Sequence, residues 1–489
     1  MQISLIGALI FVALLFLDRF FRGQLIVALM ASLAFGATAV FALSSLGGAS
    51  PPVFTLMPLV MGGVAIFQRQ IFRELARVFR DHPVSTWSVL ILMVIVFCGA
   101  FISPRLFAGE VIVFVVNRSD VSGGVEAALL SPSTFNITQA GYLAISAFTY
   151  LIIATILQRE RSLETIKAGY LAWAGVIALS GLIDLSAKLV GLGDVLEPLR
   201  TANYAAMTGT EFTLAGFFRV SGLFSEASAY GASAVAALAF TLTYWRYTHS
   251  GSAFVLSMVL FLMVLMSTSS TAYATLVMCC GLLFVSLLIS ISQGRIRRTD
   301  LQLGALALAG ATFAIAVYLA APERFEPLIQ LIDVSLLSKA SSDSALERSL
   351  WNMHALEGLI QTYGLGVGIG STRTSSWIVA VVSHLGVVGS ALVGYLCVVI
   401  FRGVNERDAA ADIMPDVAVA QSARAGTVAW LFAAALSSPS PDPGILFFVS
   451  LASILACRKW VEADTATAKQ GFYRSPQSPS SGMPGALPA

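Results

Sequence analysis

Apolar runs of about 15 to 26 residues recur from one end of this chain to the other, and no other feature restricts its fold as much. A hydrocarbon core about 30 Å thick is crossed by roughly 20 apolar residues in a helix, and each backbone N–H and C=O inside it must be paired within the segment. Hydrophobic residues make up 57% of the 489 and charged residues only 11%, about half the charged share of a soluble domain. Such a chain cannot clothe itself in polar surface. Its length would suit two or three soluble domains, but the spacing of the runs leaves room for none. The pattern predicts an all-α polytopic membrane protein with about thirteen transmembrane helices. These fall near 3–17, 25–46, 53–67, 85–102, 137–157, 168–190, 228–244, 253–268, 271–292, 301–321, 376–401, 424–436 and 444–457.

The net charge of +2 says little about partners, but its distribution sets a topology. With the N-terminus outside, the odd connections gather Arg19 and Arg22, the Arg69/Arg73/Arg77/Arg80 cluster, Arg159/Arg161/Lys167, Arg246, Arg295/Arg297/Arg298, Arg402/Arg407/Arg424 and Arg458/Lys459/Lys469/Arg474 on the cytoplasmic side. That is 20 of the 29 basic residues, as the positive-inside rule requires. The other nine are Arg105, Arg118, Lys188, Arg200, Arg219, Arg324, Lys339, Arg348 and Arg373, most of them in long loops, where the rule weakens. The C-terminus is then cytoplasmic. Arg69, Arg73, Arg77 and Arg80 recur every three or four residues and predict one face of a short helix near anionic headgroups. The first run carries its charges after it, at Asp18, Arg19 and Arg22, the reverse of a secretory signal, and is expected to remain as a helix. All five cysteines lie in apolar segments, which points to packing rather than a disulfide framework or metal ligands. Residues 1–468 form the helical domain in this reading. The tail 469–489 is rich in Pro, Ser and Gly and is expected to be disordered.

Three extracytoplasmic loops are long, 103–136, 191–227 and 322–375, and loops of that size commonly carry function. The second ends in Phe217-Phe-Arg219-Val-Ser-Gly222-Leu-Phe-Ser225-Glu226-Ala-Ser228 and runs into an inward-going span. Unpaired N–H groups and the positive dipole end of that helix then sit beside Arg219, an arrangement that favours an anion such as phosphate. Ser225 and Glu226 also fit ordinary capping and first-turn positions. The third loop holds Ser344-Ala-Leu-Glu347, a capping-box pattern, followed by apolar Leu346, Leu350, Met353, Leu356 and Ile360. It predicts an amphipathic helix on the outer surface with Arg348 and Asn352 together on another face. Gly364-Leu-Gly366-Val-Gly368-Ile-Gly370-Ser-Thr-Arg373-Thr-Ser375-Ser376 leads into the next span, where glycines allow close backbone approach to a ligand and Arg373 adds a fixed charge. No strand precedes this string and it faces away from the cytoplasm, so it is not a dinucleotide fingerprint. Its plain alternative is a re-entrant turn.

Arg219, Arg348 and Arg373 thus converge on one side of the membrane. Arginine grips phosphate oxygens in pairs and stays charged, so a lipid-linked diphosphate suits the cluster. His354, in the loop helix, is either a general base or a solvated surface residue. His384, about eight residues into a span, is either buried and hydrogen-bonded or lines a cavity. Asp184 and Lys188 stand four apart in the sixth span, where they pair or mark a transport path.

The segments Pro132-Ser-Thr-Phe-Asn136-Ile-Thr-Gln139, Arg219 to Ser228, Ser267-Thr-Ser-Ser-Thr271 and Arg348 to Ser376 resemble the O-antigen ligase/polymerase superfamily, and within it Wzy-type polysaccharide polymerases. The likeness covers roughly residues 130 to 400, with the flanks alike only in hydropathy. The resemblance implies a GT-C-like glycosyltransferase in the bacterial inner membrane. Its donor would be a glycan on undecaprenyl diphosphate and its acceptor a lipid-linked repeat unit, with a chain-length regulator and export machinery as further partners. No nucleic acid, cofactor or metal is expected. In this reading Arg219, Arg348 and Arg373 bind the diphosphate and stabilise its growing charge. Glu226 is the first candidate to deprotonate the acceptor and His354 the second. Ser225, Ser228, Gly368, Gly370 and Ser375 support them. Arg373-Thr-Ser-Ser376 stands where many relatives show histidine.

Two alternatives remain open. A lipid-A-core O-antigen ligase differs only in acceptor. A lipid-linked oligosaccharide flippase or transporter predicts repeat-related halves with interrupted helices and polar groups near mid-membrane, whereas the polar clusters here gather at the outer face.

Overall fold

A computed structural model of the chain describes residues 2–21, 25–43, 48–116, 124–204, 213–292 apart from 215, 298–320, 342–406 and 409–474, together with positions 294, 326, 330 and 333. Of the residues used above, Arg22, Arg118, Arg295, Arg297, Arg324, Lys339 and Arg407 lie outside the described residues, as do 475–489 of the expected tail. Fifteen helices dominate the described chain. They are α1 Leu5–Phe21, α2 Ile26–Ser32, α3 Val53–Ile66, α4 Ile71–Asp81, α5 Pro83–Leu106, α6 Thr134–Glu160, α7 Glu164–Val190 and α8 Ala227–Thr248. After these come α9 Gly251–Met266, α10 Ser270–Ser292, α11 Arg298–Ala320, α12 Asp343–Gln361, α13 Trp377–Arg402, α14 Met414–Ser437 and α15 Ile445–Arg474. Six of them, α5, α6, α7, α10, α11 and α13, are long and apolar enough to cross a bilayer, and α3 with α4 makes a seventh if that pair, bent by 113°, is one span. The apolar windows of α10 and α11 are 6% and 0% buried within the protein, so the surface they present suits lipid rather than water.

Twelve of the expected apolar runs coincide with helices. The exception is 25–46, where among the described residues only the seven of α2 are helical and the chain then continues irregularly to β2, Phe41–Ala42, which pairs with β1, Gln2–Ile3. The start of this short helix is held from outside the run. Both carboxylate oxygens of Asp18 accept hydrogen bonds from the start of α2, from Leu25 N at 2.7 Å and from Val27 N and Ala28 N at 3.1 and 3.2 Å. Every residue of α2 is buried and none of the irregular flank 33–43 is exposed, the condition under which broken helices are tolerated at membrane depth. The expected all-α description also needs extending. Besides β1–β2, the first long loop folds into a hairpin of β3, Ile112–Val116, and β4, Val125–Leu129, and the second holds the short pair β5, Thr213–Leu214, and β6, Phe217–Phe218.

The bundle centres on α8, which packs against α7, α9, α10 and α14, while α6 packs against α5 and α15 and α2 against α7. Tyr170 and Phe240 stack at 4.2 Å in this core, and the Tyr170 hydroxyl meets Ser450 at 2.6 Å. The connections sort into two groups, one at each end. Arg159 bonds Gln68, Gln158 bonds Asp81, Leu163 N bonds Asp416, Arg246 pairs with Asp300 and Arg458 bonds Gly403 O. Ala39 bonds Thr201, Val220 bonds Met266, Asn136 bonds Ile369 and Thr374 bonds Pro439 at the other end. The basic connections thus share one end and the described parts of the three long loops the other. On α4, Arg73, Arg77 and Arg80 are exposed while Glu74 and Val78 are buried, which is the basic face the spacing predicts.

Asp184 and Lys188 form a buried ion pair at 2.8 Å on α7. The pair is not isolated. Asp184 Oδ2 accepts from Ser221 N at 2.8 Å and Gly222 N at 3.0 Å, and Lys188 Nζ donates to Arg219 O at 2.6 Å. It is therefore a clamp on the segment that leads into α8. Asp184→Ala strands the Lys188 charge and two buried N–H groups, and should destabilise the protein by about 3–5 kcal/mol. Thermal unfolding of the purified protein in detergent reads this as a marked fall in midpoint, and an unchanged midpoint would refute the clamp.

Candidate functional site

Two chain segments bring the predicted site residues to the end of the bundle where α8 and α13 begin. The first is 217–226. Beyond the Asp184–Lys188 clamp, Arg200 donates from Nε to Gly222 O at 3.1 Å and from Nη2 to Ser221 Oγ at 3.2 Å, and is itself paired with Asp194. Gly222 has φ +52, and the space of a Cβ there is filled by the Tyr230 ring and Ser180 Oγ, so the tight turn admits no side chain. Arg219 is half-buried, and its charge reaches the Tyr273 hydroxyl at the start of α10. Glu226 is the N-cap residue of α8, yet its carboxylate makes no capping hydrogen bond and its side chain is exposed. Ser225 and Ser228 flank it, both half-buried.

The second segment is a strap, 362–376, between α12 and α13. Gly364, Gly366, Gly368 and Gly370 all have positive φ. Their close approaches are to the protein's own backbone: a Cβ at Gly368 would lie 2.6 Å from Gly99 O, and one at Gly370 2.8 Å from Phe135 O. The glycines therefore lay the strap on α5 and α6. The strap also plugs a break in α13, where Gly386 is non-helical with φ 67. Val387 N donates to Gly364 O and Val367 N to Ser383 O, both at 2.9 Å. Asn136, the N3 residue of α6, reaches Ile369 O at 2.8 Å and Ser371 Oγ at 2.9 Å. This long-range role explains an asparagine at the start of an apolar helix.

Arg373 sits at the end of this strap, and its backbone is fixed on every side. Its N–H donates to Phe114 O on β3 at 2.7 Å, Phe114 N donates to Thr372 Oγ1 at 3.2 Å, and Ser375 N donates to Asn352 Oδ1 at 2.9 Å. His384 lies 3.1 Å from Thr372 O through Nε2 and is buried, the first of its two sequence readings. The Arg373 guanidinium lies over the Trp351 ring at 5.1 Å, and its Nε is buried without a hydrogen-bond partner among the described residues. Burial, and after it the charge of Arg348, pull its pKa down from the ordinary value, while Glu226 acts in the opposite sense. Arg348 and Glu226 are therefore each close enough for their charge to act on Arg373, and Arg219 stands seven residues before Glu226 at the same end of α8.

The helix α12 carries Arg348 and Asn352 on the face toward the strap, as their spacing implies. It begins two residues before the predicted capping box, with Ser342 rather than Ser344 as N-cap. Leu346, Leu350, Met353, Leu356 and Ile360 are all exposed, so its apolar stripe faces away from the protein. His354 lies one turn beyond Trp351, paired through Nδ1 with Glu357 at 2.9 Å and packed on Phe114 at 5.3 Å.

Sequence reading missed three contributors. Trp351 was hidden in an amphipathic pattern, and Phe114 lies on a strand that was read as loop. Asp442 belongs to a Pro/Ser-rich turn, 438–444, that supports the strap: Thr374 Oγ1 and Trp377 Nε1 donate to Pro439 O and Pro441 O at 3.1 Å. Among the described residues no group of three His, Cys, Asp or Glu side chains is arranged to hold a metal ion. No family model matches the chain, and no curated protein matches it. The class is therefore defined by the fold and site alone: a mostly helical protein with several spans suited to a bilayer and an arginine-rich cluster at one end.

Burial holds the Asp442 carboxyl up to about 6, against hydrogen bonds from Gly444 N and Ser146 Oγ that favour the charged form. A folded pKa raised above the unfolded 3.8 contributes stability at low pH that is lost as pH rises through about 6. Asp442→Asn should therefore gain stability relative to the parent across that window and level off above it. Unfolding midpoints of both proteins measured across this pH range check the prediction, and a difference independent of pH would contradict it.

Proposed function

We propose that the chain is a polysaccharide polymerase. It transfers a glycan from undecaprenyl diphosphate to a lipid-linked repeat unit at the outer face of the bacterial inner membrane. The observation that carries this reading is the fixed Arg373 with a second arginine and a carboxylate beside it, at the end of the bundle that holds the three long loops. The resemblance of the Arg219–Ser228 and Arg348–Ser376 segments to Wzy-type polymerases supplies the substrate class. The thirteen crossings and the GT-C-like arrangement belong to the same proposal.

In this mechanism Arg373 and Arg348 hold the diphosphate, with Arg219 completing the grip. As the bond between the anomeric carbon and the phosphate oxygen breaks, negative charge grows on the leaving diphosphate. Fixed guanidinium groups stabilise it without reorganising. The acceptor hydroxyl attacks the anomeric carbon and gives its proton to a carboxylate or imidazole. Glu226, exposed and not used as a cap, suits that role, and His354, oriented by Glu357, is the second candidate.

A transporter reading gains some support from the breaks at α2 and in α13, since interrupted helices line transport sites. The break in α13, however, is filled from within the protein by the Gly364–Leu365 backbone, and the N–H groups that open α2 are taken up by Asp18. A ligase differs only in acceptor.

Purified protein given lipid-linked repeat should produce longer glycans. Arg219→Ala and Arg373→Ala should each lower the rate by about 10²–10³ at matched folding. Full polymerisation by both variants would overturn the assigned roles. Lipid translocation without elongation would favour the transporter, and transfer only onto lipid-A-core the ligase.

A further inference from the structure

At the far end of α13, roughly 40 Å from Arg373 by helix length, three arginines gather around one glycine. The helix ends at Arg402, and Gly403 turns the chain away with φ 57. A Cβ at Gly403 would lie 2.9 Å from Nη1 of Arg424, so that guanidinium packs close against the turn. From α15, Arg458 reaches across and donates from Nε to Gly403 O and from Nη2 to Val399 O. Its charge is thereby held at a helix C-terminus, where unpaired carbonyls favour a cation. Arg402 and Arg424 both repel it.

A cavity of about 740 Å³ opens beside this group, with Arg402, Asn405, Arg458, Glu462 and Thr465 in its wall. That volume falls in the range of small-ligand sites. Of the nearby carboxylates, Glu406 is engaged by the Tyr247 hydroxyl and the Gln421 amide, so Glu462 is the acidic group of the wall. Arginines that merely mark a membrane surface need only solvent and headgroups around them. Here one is fixed by two backbone carbonyls, and Arg402 and Arg458 face the same hollow.

We propose that this cavity is a phosphate-binding site, separate from the cluster around Arg373, for the phosphate of a soluble ligand or of an anionic lipid headgroup. Arg458 supplies the fixed charge and the exposed Arg402 the arm that closes on the phosphate, with Asn405 beside them in the wall. The inference shares no residue with the polymerase mechanism and stands or falls apart from it.

The test uses the purified full chain with Arg219, Arg348 and Arg373 all changed to Ala, so that the other cluster is disabled, at constant ionic strength. Two probes separate the sources: inorganic pyrophosphate, and phosphatidylglycerol in nanodiscs against phosphatidylcholine alone. One of them should bind saturably, and Arg402→Ala should weaken that binding about tenfold or more. Arg80→Ala, an exposed cation at the same end but outside the cavity, should leave it unchanged. Absence of saturable binding by either probe, an affinity indifferent to Arg402→Ala, or an equal loss with Arg80→Ala would overturn the proposal.

Discussion

A backbone taken out of water must have its N–H and C=O groups paired, and wherever this chain leaves the helix inside the bundle that requirement decides the architecture. Each departure is answered by a specific side chain or backbone strand from elsewhere. Asp18 receives the start of α2. Asp184, Lys188 and Arg200 hold 219–222. The break in α13 is closed by the strap, and the strap is held in turn by Asn136, Asn352 and His384. The long loops are thus bolted to the helices at the points where they carry arginine.

That rigidity has an electrostatic use. Two guanidinium groups near one another repel, and a partly buried one also loses hydration. Arg373 accepts both costs, offset in part by the Trp351 face and by Glu226. A bound diphosphate would reverse the balance, turning the repulsion between Arg373 and Arg348 into joint attraction. Because the backbone around Arg373 is already fixed, little ordering is left for the moment of binding. The same logic applies at the opposite end, where Arg458 is fixed by the carbonyls that close α13 and Arg402 is exposed beside it.

Much of this was legible in the residues because hydropathy is a local property. Twelve of the thirteen apolar runs are helices, and the pairing of Arg348 with Asn352 on one face of α12 followed from spacing. The failures are tertiary. Nothing within 25–46 announces that its helix ends at Ser32, and the β-branched run Ile112–Val116 carried a strand signal that its place in a loop obscured. The glycines of the strap were read as space for a ligand, whereas Gly368 and Gly370 make room for the backbones of α5 and α6. His384 could not be assigned until the strap showed its Thr372 carbonyl at hydrogen-bond distance from Nε2. Asp442 had no local signal beyond a proline-rich turn between two apolar runs.

The central claim is that Arg373 and its neighbours grip a diphosphate. The most direct measurement is the affinity of the purified protein for undecaprenyl diphosphate against undecaprenyl monophosphate, in the parent and in Arg373→Lys. Lysine keeps the charge but loses the planar fork that engages two oxygens at once. The account predicts that the parent prefers the diphosphate by about tenfold or more and that Arg373→Lys loses most of that preference. Equal affinity for the two lipids in the parent, or a preference untouched by Arg373→Lys, would contradict it.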